Sequence, residues 1–397
     1  MRRRALALLP LLAVSAACSS ASTGPTSTTS TAATSTAASS ASTTTSSSST
    51  DPAPSCAERI AAGLTPSERV GQLLMVGLDA GAGASGVDTP VRDFGVGGVI
   101  LLGGWTGAEN VSAATKHLNS LATGPGLFLA ADQEGGQVQQ LRGAGFTAIP
   151  SAQDQAAMGA ELRGAAEDWG AELTEVGINL NLSPVADTVP ATLGTANGPI
   201  GRYHREYGAT PAAVIPPMTA FLRGMHDASV MTAIKHFPGI GRIRGNTDTA
   251  ATGITDTQAS TTDPFLQPFA AGIEAGSDFV MISSAIYPKI AAGQALFSSE
   301  IVTDLLRTQM GFDGVVITDD VGAAAAVQAV PIADRATRFI AAGGDVVLTA
   351  RPSDIPVMHK AVTDRIEDDP AFRAQVDAAV LRILTLKARY GLLSCSG

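Results

Sequence analysis

An apolar run, Gly314-Val315-Val316-Ile317, leads directly into Thr318-Asp319-Asp320. Two carboxylates at the end of a buried strand are costly unless they are solvated, paired or used, and use would mean acid, base or nucleophile work. Taken alone, the pair has a second reading as the cap of a following helix, which the small residues Gly322 to Ala326 would begin. Polar groups also follow other apolar runs: Asp132-Gln133-Glu134, Asp187, and Lys235-His236.

The elements that must position these groups recur regularly. Continuous apolar runs stand at Gln72–Leu78, Val96–Leu102, Leu127–Ala131, Ile178–Pro184, Met231–His236, Phe279–Ser283, Gly314–Thr318 and Asp345–Leu348. Runs without alternation suit strands covered on both faces. Helical spacing fills Glu161–Val176, Ala212–His226, Pro264–Ala275, Ser298–Gln309 and Pro331–Ala341. The βαβα alternation predicts parallel strands with right-handed crossovers. Spacing alone leaves an open doubly wound sheet as an alternative to a (β/α)8 TIM barrel. The polar groups favour the barrel, where the C-terminal ends of all strands converge on one mouth. Gly81-Ala82-Gly83-Ala84 lacks the helix that a dinucleotide fingerprint needs, so no cofactor is expected.

The chain has 397 residues, 45% of them hydrophobic, with 26 Lys and Arg against 36 Asp and Glu. Loss of Arg2, Arg3 and Arg4 with a leader would change the net charge from −10 to −13, which argues against nucleic-acid binding. Those arginines precede an apolar run from Ala5 to Ala17, which spans roughly 20 Å as a helix against the ~30 Å of a bilayer core. The segment 1–17 therefore reads as an export signal ending in a lipobox at Cys18, with a plain signal peptide as the alternative. Acylation of Cys18 would anchor the protein to the outer face of the cell membrane. Residues 18–55 form a Ser/Thr-rich stalk that cannot bury enough apolar surface to fold. One domain is expected over 56–397, with Cys56 and Cys395 either joined in a disulfide or free. No obligate protein partner is expected.

Asp132-Gln133-Glu134-Gly135-Gly136, Asn179-Leu180-Asn181-Leu182-Ser183-Pro184-Val185-Ala186-Asp187, Lys235-His236-Phe237-Pro238-Gly239-Ile240-Gly241 and Gly311–Asp320 occur in that order. From about Leu64 to Leu392 the chain resembles glycoside hydrolase family 3, and within it the single-domain bacterial β-N-acetylglucosaminidases. The resemblance implies hydrolysis of β-glycosides with retention, through a carboxylate nucleophile and an acid/base group. It implies Asp319 as nucleophile, with Asp320 a neighbour that binds backbone. It also implies that Asp132, Lys235 and His236 grip sugar hydroxyls. The substrate arginine falls in Ile200-Gly201-Arg202-Tyr203-His204-Arg205-Glu206-Tyr207-Gly208, two residues longer than the family pattern. Anchoring on Tyr207-Gly208 selects Arg205, the preferred choice; anchoring on Ile200-Gly201 selects Arg202.

The chain departs from the family at the acid/base. An Asp-x-His dyad is expected on the loop after the fifth strand, but Asn246 and Asp248 stand eleven and thirteen residues beyond Lys235. An imidazole titrates near pH 6.5, whereas an Asp starts near about 3.9. Asp248 serves as a general acid only if burial or the charge of Asp319 favours its protonated form, with Asn246 as a neutral orienter. Three glycines in Gly239–Gly245 would permit loop closure, while Arg242 and Arg244 would oppose protonation of a nearby carboxylate.

The remaining features are plain. His117, His226 and His359 fall in helical patterns and read as structural. No ligand spacing suggests a metal. Trp105 either stacks on a sugar or packs locally.

The expected protein is an exported, lipid-anchored retaining exo-β-N-acetylglucosaminidase acting on terminal β-linked GlcNAc of peptidoglycan fragments. The alternatives are a sugar-binding lipoprotein without turnover and a β-glucosidase-like hydrolase of the same family.

Overall fold

All eight apolar runs form strands in the computed structural model, which describes residues 55–394. They are β1 (Leu74–Asp79), β2 (Gly98–Leu102), β3 (Phe128–Ala131), β4 (Leu180–Asn181), β5 (Met231–Phe237), β6 (Phe279–Ile282), β7 (Val315–Thr318) and β8 (Val347–Thr349). Neighbouring strands pair in parallel in the order β8-β1-β2-β3-β4-β5-β6-β7. A parallel bridge from Ile317 in β7 to Val346 closes the ring. It is reinforced by the Thr318 N–H donating to the Val346 carbonyl at 3.0 Å. The chain is therefore a (β/α)8 barrel and not an open sheet.

Helices follow the strands in turn: Asp88–Phe94, Ala108–Leu121, Leu162–Glu175, Pro211–Asp227, Gln267–Glu274, the π-helix Glu300–Gln309, Ile332–Ala341, and the final pair Ile355–Asp368 and Pro370–Arg389. Pro211–Asp227 shows how sequence sets such an element. The Thr210 hydroxyl accepts from the Ala213 N–H, and Pro211 occupies the first helical position, where its missing N–H costs nothing. Val214, Met218, Phe221, Leu222 and Met225 recur at helical spacing and are buried. Burial of each large apolar side chain contributes about 1.5–3 kcal/mol.

Two strands differ from the sequence expectation. Gln72 ends the helix Pro66–Gln72 instead of opening β1. The run Ile178–Pro184 shrinks to the two-residue strand Leu180–Asn181, and side chains add to the backbone bonds that flank it. Asn179 bonds the Leu129 N–H at 2.9 Å and the Leu127 carbonyl at 3.0 Å, and Asn181 bonds both backbone groups of Gln133 at 3.0 and 3.1 Å. Spaced two apart, both asparagines lie on one face of the strand, toward β3.

The expected signal segment and Cys18 lie outside the described residues, as does Cys395. Of the expected stalk only Ser55 is described, where it caps the helix Cys56–Gly63. Cys56 is disulfide-bonded.

Candidate active site

A cavity of about 320 Å3 opens at the C-terminal ends of the strands, within the range of small-molecule pockets. Asp132, Glu134, Arg205, Lys235, His236, Asp248 and Asp319 all line it. The groups scattered along the sequence thus share one mouth, as strand-end residues of a closed barrel must.

Its floor is a buried ionic network. The Lys235 ammonium, 2% exposed, lies 2.6 Å from both Asp132 Oδ1 and Glu134 Oε1. Arg205 forks onto Glu134, with Nε and Nη2 each donating at 2.8 Å, and its Nη1 donates to the Pro199 carbonyl. Burial disfavours the Glu134 carboxylate, but Arg205 and Lys235 outweigh it and hold the group down at about 2. Burial likewise opposes the charge on Lys235, yet Asp132 and Glu134 hold the ammonium above its ordinary range. The Glu134 backbone is fixed in turn: Gln155 Nε2 donates to its carbonyl at 2.7 Å, and the Tyr207 hydroxyl donates to Gln155.

Asp187 anchors the fifth-strand corner. One oxygen accepts from His236 Nδ1 at 2.7 Å and from the His236 N–H at 3.1 Å; the other accepts from the Ile240 N–H at 2.7 Å. With Asp187 as acceptor, Nδ1 carries a ring proton, which fixes the orientation of the imidazole. Arg205 Nη2 stands 3.4 Å from His236 Nε2.

Asp319 follows β7, with its Oδ1 accepting from the Asp320 N–H at 2.9 Å. Burial first, and then the charge of Asp248, push its carboxyl up to about 6, against the stabilising influence of His236. Asp320 turns to backbone: it accepts from the N–H groups of Gly322, Ala323 and Ala350, each at 2.8 Å. No helix starts directly on this pair: a short 3-10 turn spans Ala325–Val327, and the next α-helix begins at Ile332.

Asp248 is exposed on the loop after β5, and Asn246 Oδ1 accepts its backbone N–H at 2.9 Å. Asn246 therefore orients Asp248 through the backbone. The loop arginines leave the cleft alone. Arg242 pairs with Asp263 at 2.6 Å, also approaches Asp256, and stacks on Phe265, while Arg244 is exposed. The loop glycines serve close packing: a Cβ on Gly241 would lie 1.8 Å from the Thr188 carbonyl, and one on Gly245 would lie 2.2 Å from that of Thr252. Only Gly239, at φ +123°, needs glycine's conformational freedom.

Residues 65–386 match the model of the glycosyl hydrolase family 3 N-terminal domain. The chain belongs to glycoside hydrolase family 3. Among solved structures, this family 3 chain is similar to a β-N-acetylhexosaminidase from Beutenbergia cavernae. The identity is 48% and the TM-score 0.78, with 82% of this chain and 99% of that one covered. It is 32% identical to the β-hexosaminidase LpqI of Mycobacterium tuberculosis over 84% of this chain and 86% of that protein. It is also 33% identical to a β-hexosaminidase of Xanthomonas axonopodis pv. citri, over 68% of this chain and 81% of that protein.

Within this family 3 barrel, Arg205 reaches the cavity and Arg202 is exposed outside its lining. Glu134 and Asp187 are the groups that sequence reasoning passed over. Their position after strand ends was visible, but their partners lie up to 101 residues away in sequence, at Lys235. Trp105 packs locally: it is 6% exposed, and its Nε1 donates to the Leu78 carbonyl. His117, His226 and His359 sit on helices, bound respectively to Asp88, Asp278 and Ser67. Among the described residues no cluster of three His, Cys, Asp or Glu side chains is placed to hold a metal ion.

Proposed function

We propose that this glycoside hydrolase is a retaining exo-β-N-acetylglucosaminidase, with Asp319 as nucleophile and Asp248 as general acid/base. The observation that carries the reading is the convergence of both carboxylates on one cavity whose floor is built from charged groups suited to sugar hydroxyls. The β-hexosaminidase relatives support the N-acetylhexosaminide class.

In the first step the Asp319 carboxylate bonds to the anomeric carbon while Asp248 gives its proton to the departing oxygen. In the second, Asp248 takes a proton from water, whose oxygen displaces Asp319 from that carbon and leaves the configuration retained. The His236 imidazole and the Asp320 N–H favour the anionic form of Asp319. Asp132, Lys235, His236 and Arg205 hold the ring over the nucleophile.

The cell-envelope assignment rests on the arginines before Ala5, the apolar run to Ala17, and Cys18. With that location, the substrate is terminal β-linked GlcNAc of peptidoglycan fragments at the outer face of the membrane, where the protein is held by lipid on Cys18. A fluorosugar inactivator built on GlcNAc should label Asp319, as read by peptide mass spectrometry. Labelling elsewhere overturns the nucleophile. Binding of GlcNAc without turnover would instead leave a sugar-binding lipoprotein, and faster release from aryl glucosides a β-glucosidase. Loss of palmitate labelling on Cys18→Ala tests the anchor.

A further inference from the structure

The two carboxylates of the cleft are referenced to a single stretch of chain. Asp319 opens the loop that follows β7, and the far side of this loop touches the strap carrying Asp248: the Ala325 N–H donates to the Asp248 carbonyl at 2.9 Å and the Ala326 N–H to the Thr247 carbonyl at 3.0 Å. The small residues Gly322 to Ala326 let the two backbones approach so closely.

The loop after β7 is itself fixed from below. Buried Arg335 donates to the carbonyls of Val321 at 2.6 Å, Val330 at 2.8 Å and Gly322 at 3.3 Å, which ties the start of the loop to its end. Gln328 Nε2 bonds the carbonyls of Gly322 and Ala324, and Gln294 Nε2 that of Ala326. The strap is held at its other points too. Asn197 Nδ2 donates to the carbonyls of Ile240 and Ile243, each at 2.8 Å, and the Gly245 N–H donates to Gly253 at 2.8 Å. Residues 246–248 are set from within by Asn246, whose Oδ1 accepts the Asp248 N–H, and from outside by the N–H groups of Ala325 and Ala326.

We propose that the loop after β7 is a clasp for the acid/base strap, with Ala325 and Ala326 acting as positioning residues for Asp248. The inference rests on the reading of Asp248 as general acid/base. A carboxyl on an exposed strap transfers a proton efficiently only when held at a fixed distance from the glycosidic oxygen, and displacement of about 1 Å is enough to lower a rate about 100-fold. The clasp supplies that distance relative to Asp319, because the two carboxylates then move with one body.

Ala325→Pro tests this cleanly. Ala324 is at φ −57° and ψ 127°, a conformation that tolerates a following proline, and Ala325 opens a short 3-10 turn where proline fits. The substitution removes the N–H that holds Asp248 and little else, while Ala325→Gly keeps it. On methyl β-GlcNAc, whose leaving group needs a proton, A325P should lose about 5- to 100-fold in kcat/KM. On the dinitrophenyl glycoside, which needs none, it should stay within about twofold of the wild type, and A325G should retain both activities. Equal losses on both donors, no loss on either, or the same loss in A325G would overturn the clasp. Asp248→Asn run alongside separates the two readings. If D248N shows no dependence on the leaving group, the acid/base assignment fails and the clasp with it; if D248N shows it and A325P does not, only the clasp fails. Should A325P not fold, Gln294→Ala carries the same test with a smaller loss of the same signature.

Discussion

Lys235 and Lys387 are both buried, one at each end of the barrel, and they are held in opposite ways. At the mouth, Lys235 sits between two carboxylates. At the other end, Lys387 reaches from the last helix to Gln72 Oε1 at 2.7 Å and the Gly97 carbonyl at 2.9 Å, with its ammonium 4.8 Å from the centre of the Phe128 ring. No carboxylate among the described residues pairs with it, and burial brings Lys387 down to about 7. The mouth keeps Lys235 charged through paired ions, whereas Lys387 meets only neutral dipoles and a ring, although Asp345 at the same end is ion-paired to Arg307 and Arg382.

From that contrast, substitutions at the mouth should change activity as well as stability, whereas loss of the Lys387 charge should change stability alone. Asp319→Asn carries the largest expected effect. Turnover of the aryl glycoside should fall by at least about three orders of magnitude. Its stability should move the other way. The folded carboxyl sits at about 6, above its unfolded value, so the native state holds more protons between pH 4 and 6 and loses stability as pH rises through that window. D319N lacks this loss and should be more stable than the wild type at pH 7.5, by up to about 3 kcal/mol in urea melts.

Glu134→Gln strips the shared partner from Arg205 and Lys235 and should cost about 3–5 kcal/mol at pH 7. The Glu134 pair stabilises fully above pH 4.5 and fades as pH falls toward 2, so the acid side of the wild-type stability curve should flatten in E134Q. Lys387→Met should leave kcat/KM unchanged. Because Lys387 holds fewer protons folded than unfolded, wild-type stability relative to K387M should rise by a few kcal/mol from about pH 7 to 10.5, as read by denaturation at each pH. A flat difference would break the contrast. The smallest effect sharpens it: Asp248→Asn, assayed on the dinitrophenyl donor, should move the acid limb of kcat/KM to lower pH by removing a charge that faces Asp319.

The barrel was legible because parallel strands covered on both faces read as unbroken apolar runs, and polar groups at their C-terminal ends favoured a closed barrel over the open sheet that spacing alone allowed. The convergence of Asp132, Lys235, His236 and Asp319 followed from strand-end position alone. Arg205 was preferred to Arg202 on the Tyr207-Gly208 anchor alone, and the backbone that carries it to Glu134 supplies the physical reason. Glu134 itself was visible only as an acid in a motif, since a charge hub is defined by partners from other strands. The clasp on Asp248 left no trace in the sequence, because backbone amides of alanine look the same everywhere. Lys387 was equally silent, one cation in the last turn of a helix. The glycines of the acid/base strap suggested motion, yet Gly241 and Gly245 answer to neighbouring carbonyls.

Asp187 binds the His236 ring with one oxygen and the Ile240 amide with the other. The imidazole proposed to meet the sugar and the root of the strap that carries Asp248 therefore hang from one carboxylate. If His236 meets the glycone as proposed, a tilt of its ring reaches the strap through the two C–O bonds of one carboxylate, and recognition of the sugar is then coupled to the placing of Asp248.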